Sequence, residues 1–204
     1  MIDLYAAATS NGMRARIALE ECGLDYKLHM VDLAAGGNRT PEFLALNPNG
    51  QIPVMVDSDG PGGKPATIAQ SMAILMYCAE KSGKFIPADP ALRPLFLQGL
   101  MSAASDIGPT LGAIFGMVRA KEQHRPSLEP FEKRWKTYLG AWDAILGKSK
   151  YCVGNEVSVV DFAIYASWAR AKGVIPALCE GFPNIERWAA EIAARPATQR
   201  AMKV

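Results

Sequence analysis

Asn49-Gly50-Gln51-Ile52-Pro53-Val54 is the stretch on which the fold turns. Its proline stands where a strand begins and has no N–H to give to a sheet ladder. Such a proline belongs at a sheet edge or, in the cis form, at a tight turn. Either arrangement leaves the backbone N–H and C=O of Ile52 open to a partner outside the protein. An extended peptide laid along that edge would act as an added strand. Farther on, Gln70-Ser71 opens a helical segment whose N–H groups and hydroxyl suit a carboxylate. Together the two features predict a site for a small anionic peptide.

Working outward, residues 1–82 alternate short strands with helices. Ile2 and Leu4 alternate with Asp3 and Tyr5 as a first strand. Asn11 reads as the N-cap of a helix running through Ile17, Ala18 and Glu21 and stopped by Gly23. Tyr26, Leu28 and Met30 alternate with Lys27, His29 and Val31 as a second strand. Thr40-Pro41 starts a short helix, with threonine as cap and proline in the first turn. Val54-Met55-Val56 and Ala66-Thr67-Ile68 flank a turn-rich segment, and a helix follows from Gln70 to about Ser82. The order is βαβαββα, a mixed sheet ending in an antiparallel hairpin.

Residues 83–90, with glycine, two prolines and an aspartate, read as a linker. Beyond them, 91–204 reads as an all-helical domain. Leu92 to Met117 is apolar and small, with a kink or break expected near Gly108-Pro109. Trp135, Leu139, Trp142 and Leu146 recur at helical spacing. Ser158-Val159-Val160-Asp161 has the form of a capping box with aspartate in the usual Glu/Gln place. Phe182-Pro183-Asn184 begins another helix through Trp188, ending near Arg195-Pro196.

The bulk properties narrow the function. In 204 residues, 50% are hydrophobic and 21% charged, enough apolar content for a substantial core. A net charge of +2 without a basic run gives no support to nucleic-acid binding. No signal-peptide pattern and no apolar run of about 18 residues is present, so no membrane span is expected. Cys22, Cys78, Cys152 and Cys179 are scattered, and with two histidines in the chain a zinc site is not expected. The default setting is a reduced, cytoplasmic one.

A βαβαββα unit with Ile52-Pro53 before its hairpin, then an all-helical domain, resembles the cytosolic glutathione transferases. The resemblance rests on Asn47-Pro48-Asn49-Gly50-Gln51-Ile52-Pro53, on Gln70-Ser71 followed by Ile74-Leu75 and Tyr77, and on Ser158 with Asp161. It covers essentially the whole chain. Within the family, Thr9-Ser10-Asn11-Gly12 and Asp106-Ile107-Gly108-Pro109 look most like the bacterial nu class. The resemblance implies a thioredoxin-like first domain, an all-α second domain, a homodimer, and glutathione as co-substrate with no other cofactor.

Glutathione is the tripeptide γ-Glu-Cys-Gly. By the resemblance, Ile52 beside Pro53 pairs with its cysteinyl unit, and Gln70 and Ser71 receive its γ-glutamyl carboxylate. Many relatives have glutamate where Gln70 stands. The neutral side chain shifts recognition of the ammonium toward a neighbouring subunit, for which Asp106 is a candidate, with Arg134 a further candidate for a partner contact. The glycyl end is expected near Asn38, Arg39 and Gln51.

The reacting group would be the glutathione thiol. An ordinary thiol has a pKa of about 8.5, and each unit of depression needs about 1.4 kcal/mol of preferential anion stabilisation. Thr9, Ser10 and Asn11, where strand meets helix, offer a helix N-terminus and charge-assisted hydrogen bonds. Asn11 would donate through its amide, Ser10 and Thr9 through hydroxyls; each also serves ordinary capping. Tyr5 stands too early in the strand for the tyrosine used by many animal classes. His29 and His124 read as surface groups, Trp135 and Trp142 as core. Met101, Ile114, Phe115, Met117 and Val118 suit core packing or an apolar acceptor pocket. Three readings follow: conjugation of glutathione to a small hydrophobic electrophile, glutathione-dependent disulfide reduction, or a non-catalytic glutathione- or hydrophobe-binding module. A dithiol oxidoreductase is disfavoured, because no C-x-x-C is present.

Overall fold

The computed structural model describes residues 1–203. The chain divides into two compact units, 1–85 with 195–203, and 86–194.

In the first unit β1 (Ile2–Ala6) lies at the centre of a four-stranded sheet of order β2-β1-β3-β4. It runs parallel to β2 (Tyr26–Met30) and antiparallel to β3 (Val54–Asp57), which is antiparallel to β4 (Ala66–Ala69). Alternation along β1 buries Ile2, Leu4 and Ala6 and sends Tyr5 to the opposite face. There Tyr5 stacks on His29, ring centroids 4.5 Å apart, and meets Phe43 of α2 (Pro41–Leu46) edge-on. Helices α1 (Ser10–Cys22) and α3 (Ser71–Ser82) pack against each other, with Ile17, Leu19, Ile74 and Leu75 fully buried.

Local chemistry explains the ends of these helices. Thr40 caps α2 through a hydrogen bond from Phe43 N–H, with Pro41 in the first turn, as its sequence predicts. Gly23 and Gly83 close α1 and α3 in the left-handed conformation. The cap of α1 differs from the sequence reading: Thr9 Oγ1 accepts from Gly12 N–H at 3.1 Å, and Asn11 sits inside the first turn. Threonine takes the cap because it is the residue with extended backbone (φ −123°, ψ 163°).

The chain returns to this unit at its end. Reading 91–204 as one helical domain is corrected here, because α9 (Pro196–Met202), which the sequence reading missed, packs on α1. The buried Glu21 carboxylate accepts from Arg195 Nε at 2.9 Å, from Arg195 Nη2 and from Thr198 Oγ1 at 2.8 Å. A buried carboxylate needs such partners, and they lie on the C-terminal segment.

The second unit is helical: α4 (Arg93–Met101), α5 (Gly108–Val118), α6 (Arg125–Leu146), α7 (Val159–Val174) and α8 (Pro183–Ala193). The break expected near Gly108-Pro109 is a π-helical turn over 102–107, with Gly108 N–H donating to Ala103 C=O. Pro109 has no N–H for the α-type bond, and the widened turn accommodates its ring. Trp135, Leu139, Trp142 and Leu146 are all buried, as their spacing predicts. Helix α7 is apolar nearly all round and begins with the expected capping box. Asp161 accepts from Ser158 N–H and Oγ, Cys152 N–H and Trp188 Nε1, all at 2.8–3.0 Å. Burial pushes this carboxyl above its ordinary range although hydrogen bonds from the Cys152 and Ser158 backbone and from Trp188 pull it down.

Among the described residues no helix is long and apolar enough to cross a membrane, and no cluster of three His, Cys, Asp or Glu side chains is placed to hold a metal ion.

Candidate functional site

Sheet topology brings the first unit's candidate residues to one end. Tyr5 pairs with Val54, Ala6 with Met30, and Val54 with Ala69. The ends of β1, β2 and β4 therefore lie beside the start of β3. From that end issue the Thr9–Asn11 turn, the loop carrying Asn38 and Arg39, the Gln51–Pro53 segment, and Gln70–Ser71. Residues far apart in sequence converge because the strands that precede or follow them are neighbours.

The Ile52–Pro53 bond is cis, and β3 starts at Val54, so Ile52 lies beyond the ladder and is half-buried. Pro53 is buried and Gln51 exposed. The segment is held from behind by Asn47, buried in the site's floor, whose Nδ2 donates to Gln51 C=O at 2.8 Å. Asn47 Oδ1 accepts from Asn49 N–H at 3.2 Å. Asn38 Nδ2 donates to Gly50 C=O at 2.6 Å, and Arg39 Nη1 reaches Asn49 C=O at 3.4 Å. Asn38, Arg39 and Gln51 thus form one corner.

Gln70 is exposed and holds φ 76°, ψ 114°, a conformation uncommon for any residue but glycine. Strain of this kind costs about 1–3 kcal/mol and gathers at functional sites. It turns the chain from β4 into α3, whose first residue, Ser71, is buried. The N-termini of α1 and α3 both lie at this end of the sheet, and their macrodipoles favour negative charge there.

Between the two helix starts lies a residue that the sequence reading missed. Arg14, on α1, is 2% exposed. Its Nη1 donates to Asn11 Oδ1 at 2.5 Å and to Ser71 Oγ at 3.3 Å. Desolvation lowers its pKa to about 10, which leaves it a cation at neutral pH. A cation early in a helix works against the macrodipole, and that misplacement was the signal available in the sequence. Ser10 is the half-buried first residue of α1, Thr9 is held by its capping bond, and Asn11 is exposed.

Asp106 and Arg134 belong to the second unit. Asp106 is half-buried in the π-helical turn; Arg134 is exposed on α6, its guanidinium 5.5 Å from the Phe131 ring centre. All four cysteines are buried free thiols, and burial raises each pKa, that of Cys179 to about 11. His29 Nε2 donates to Asp3 Oδ1 at 2.6 Å, and His124 pairs with Ser127 on an exposed turn.

The arrangement presents helix N-termini, amide and hydroxyl groups, a buried cation and the Ile52 backbone beyond the end of the ladder. Such a set of donors is chemically suited to an extended anion. Comparison with known proteins accords with this geometry. Residues 10–81 match the family described as "Glutathione S-transferase, N-terminal domain", and residues 110–196 match "Glutathione S-transferase, C-terminal domain". The chain is 35% identical to "Disulfide-bond oxidoreductase YfcG" of Escherichia coli, across 99% of this chain and 94% of that one. Among solved structures, a glutathione transferase from Pseudomonas putida with one glutathione disulfide bound per subunit superposes with a TM-score of 0.91. It is 33% identical, covering 100% of this chain and 91% of that one. A glutathione transferase from Burkholderia graminis with two glutathione molecules per subunit gives 0.92 at 34% identity, covering 98% and 87%. On the match of both its halves and on its likeness to relatives along almost its whole length, the chain belongs to the glutathione S-transferase family.

Proposed function

We propose that the chain is a glutathione-dependent disulfide-bond reductase of the bacterial nu type. The observation that carries the proposal is a site of hydrogen-bond donors without a reactive cysteine. The nucleophile is then the thiol of glutathione itself. In this reading the Ile52 backbone beside Pro53 pairs with the cysteinyl unit of glutathione. Ser71, the first turn of α3 and the strained Gln70 take the γ-glutamyl carboxylate. Asn38, Arg39 and Gln51 face the glycyl end. Asn11 donates its amide to the thiolate, with the N-terminus of α1 behind it, while Ser10 and the backbone at Thr9 complete the turn.

The balance of the reaction is that of thiol–disulfide exchange. The bound thiolate attacks one sulfur of a disulfide, forming a mixed disulfide and releasing the other sulfur as a thiolate, which takes a proton from water. A second glutathione thiolate attacks the mixed disulfide, giving glutathione disulfide and the second free thiol. Two glutathione molecules are oxidised for each disulfide reduced. The protein supplies positioning and preferential stabilisation of the thiolate. Relatives that carry glutathione disulfide or two glutathione molecules per subunit support a site for both partners.

Conjugation to a small hydrophobic electrophile is the second reading. It is favoured by the likeness to plant enzymes such as "Glutathione S-transferase 3" of maize, 29% identical across 98% of this chain. A homodimer, with Asp106 and Arg134 reaching the neighbouring subunit's glutathione, accompanies either reading.

The deciding experiment is a titration with glutathione that follows thiolate absorbance against pH, in wild type and Asn11→Ala, with turnover measured on a small disulfide and on a chloronitrobenzene electrophile. The reading expects a bound-thiol pKa below about 8.5, raised in Asn11→Ala, and faster turnover of the disulfide. Faster conjugation would give the second reading precedence. Saturable binding without a lowered thiol pKa would make the chain a binding module.

A further inference from the structure

Asparagine and serine side chains are ambivalent: each can donate or accept a hydrogen bond. A site for a thiolate and a carboxylate needs both groups to donate. Arg14 meets both side chains with the same nitrogen, and a guanidinium only donates. The Asn11 atom facing it is therefore the carboxamide oxygen, which leaves the NH2 of this exposed side chain as its outward group. Ser71 likewise spends an acceptor lone pair on Arg14, which leaves its O–H to donate.

We infer that Arg14 is a positioning residue that locks Asn11 and Ser71 as donors, so that the site selects the anionic over the neutral form of what it binds. The inference rests on the glutathione reading and adds the origin of its charge selectivity. Arg14 joins one residue from the start of each helix through a single nitrogen, buried between the starts of α1 and α3. Without it the Asn11 amide turns freely about its terminal bond, and the Ser71 hydroxyl accepts as readily as it donates. A neutral thiol or a carboxamide would then be held nearly as well as the anions. Its desolvated state fits this role, because a buried cation gains from each negative charge brought near.

The test uses the full chain with three probes: glutathione, S-methylglutathione, and glutathione whose γ-glutamyl α-carboxylate is an amide. Affinities come from calorimetry and the bound-thiol pKa from thiolate absorbance. In Arg14→Met the expected result is a rise of about one pKa unit in the bound thiol, a tenfold loss of thiolate at a given pH. The preference for the carboxylate over the amide probe should fall about tenfold as well. Arg14→Lys should restore both in part, because an ammonium also only donates. A purely structural role would weaken all three probes alike and leave the thiol pKa in place. A folded Arg14→Met that keeps both the low thiol pKa and the carboxylate preference overturns the inference.

Should Arg14→Met fail to fold, the wild-type chain decides by NMR. The Asn11 side-chain NH2 resonances should move on binding glutathione and much less on binding S-methylglutathione; equal movement, or none with glutathione, overturns the inference. A wild type that binds no glutathione would sink the glutathione reading and this inference with it. Normal binding with a lowered thiol pKa, unchanged in Arg14→Met, would overturn the role of Arg14 alone.

Discussion

Gly12 has no room for a side chain. A Cβ there would stand 2.1 Å from the Ala7 carbonyl oxygen, well inside contact distance and against backbone that cannot swing away. The close approach lets α1 start directly after β1 and presents Asn11 at the sheet end. Gly12→Ala should cost about 1–3 kcal/mol or more from overpacking and weaken glutathione binding, read as a lower urea midpoint and a raised Kd. Asp57 makes a different kind of prediction. Burial raises its pKa, yet bonds from Lys81, Tyr77 and Asp59 N–H outweigh burial and hold the carboxyl below its ordinary value. A lowered folded pKa means stability that is fully present above the unfolded value of about 3.9 and lost as pH falls through the folded one. Urea midpoints measured from pH 5 downward should therefore fall less steeply in Asp57→Asn than in wild type, with the difference set in the acid range. Equal slopes would remove Asp57 from the acid response.

At the scale of elements, α1 carries three duties. Its N-terminus faces the candidate site, one side packs on α3, and its last turns hold α9 through Glu20 and Glu21. The Glu21 carboxylate is 3% exposed and Arg195 is 31% exposed, so the pair is one-sidedly buried. Breaking a fully buried pair costs about 3–5 kcal/mol, and solvent access at Arg195 reduces that to roughly 2 kcal/mol for Arg195→Ala. The loss should appear in the melting of the first unit. Removal of residues 195–204 should cost more, because Thr198 and the packing of α9 go too. No change in melting on truncation would show that α9 adds nothing to the unit. The π-helical turn is the matching device of the second unit, where a single proline changes the hydrogen-bond register of a long helical segment.

At the scale of the molecule, the proposed chemistry keeps its reactive sulfur on the substrate and hides the protein's own. Cys22, Cys78, Cys152 and Cys179 are 7% exposed or less, and burial raises every one of their pKa values. A thiol needs its thiolate form to react. Iodoacetamide at neutral pH should thus leave the native protein unalkylated and glutathione-dependent turnover intact, whereas the urea-unfolded chain should take up four alkyl groups, read by mass spectrometry. Rapid loss of turnover on alkylation would place a protein cysteine in the mechanism and defeat the reading.

Much of this was legible in the residue order, because local rules govern it. The βαβαββα succession, the helix ends at Thr40, Gly23 and Gly83, the Ser158–Asp161 box and the buried face of Trp135, Leu139, Trp142 and Leu146 depend on neighbours within a few residues. The sheet-end motif around Ile52-Pro53 and the start of α3 were visible for the same reason. What tertiary structure alone decided is which distant groups meet. Asn11 looked like a cap by composition, but backbone angles gave the cap to Thr9 and freed Asn11 for other partners. Arg14 stands out in the sequence only as a cation early in a helix; its partner became visible when α3 placed Ser71 against it. The end of the chain read as part of the helical domain, and a buried carboxylate on α1 claims it for the first unit. Capping and periodicity are short-range and written in the sequence, whereas the pairing of buried charges is settled only when the chain has folded back on itself.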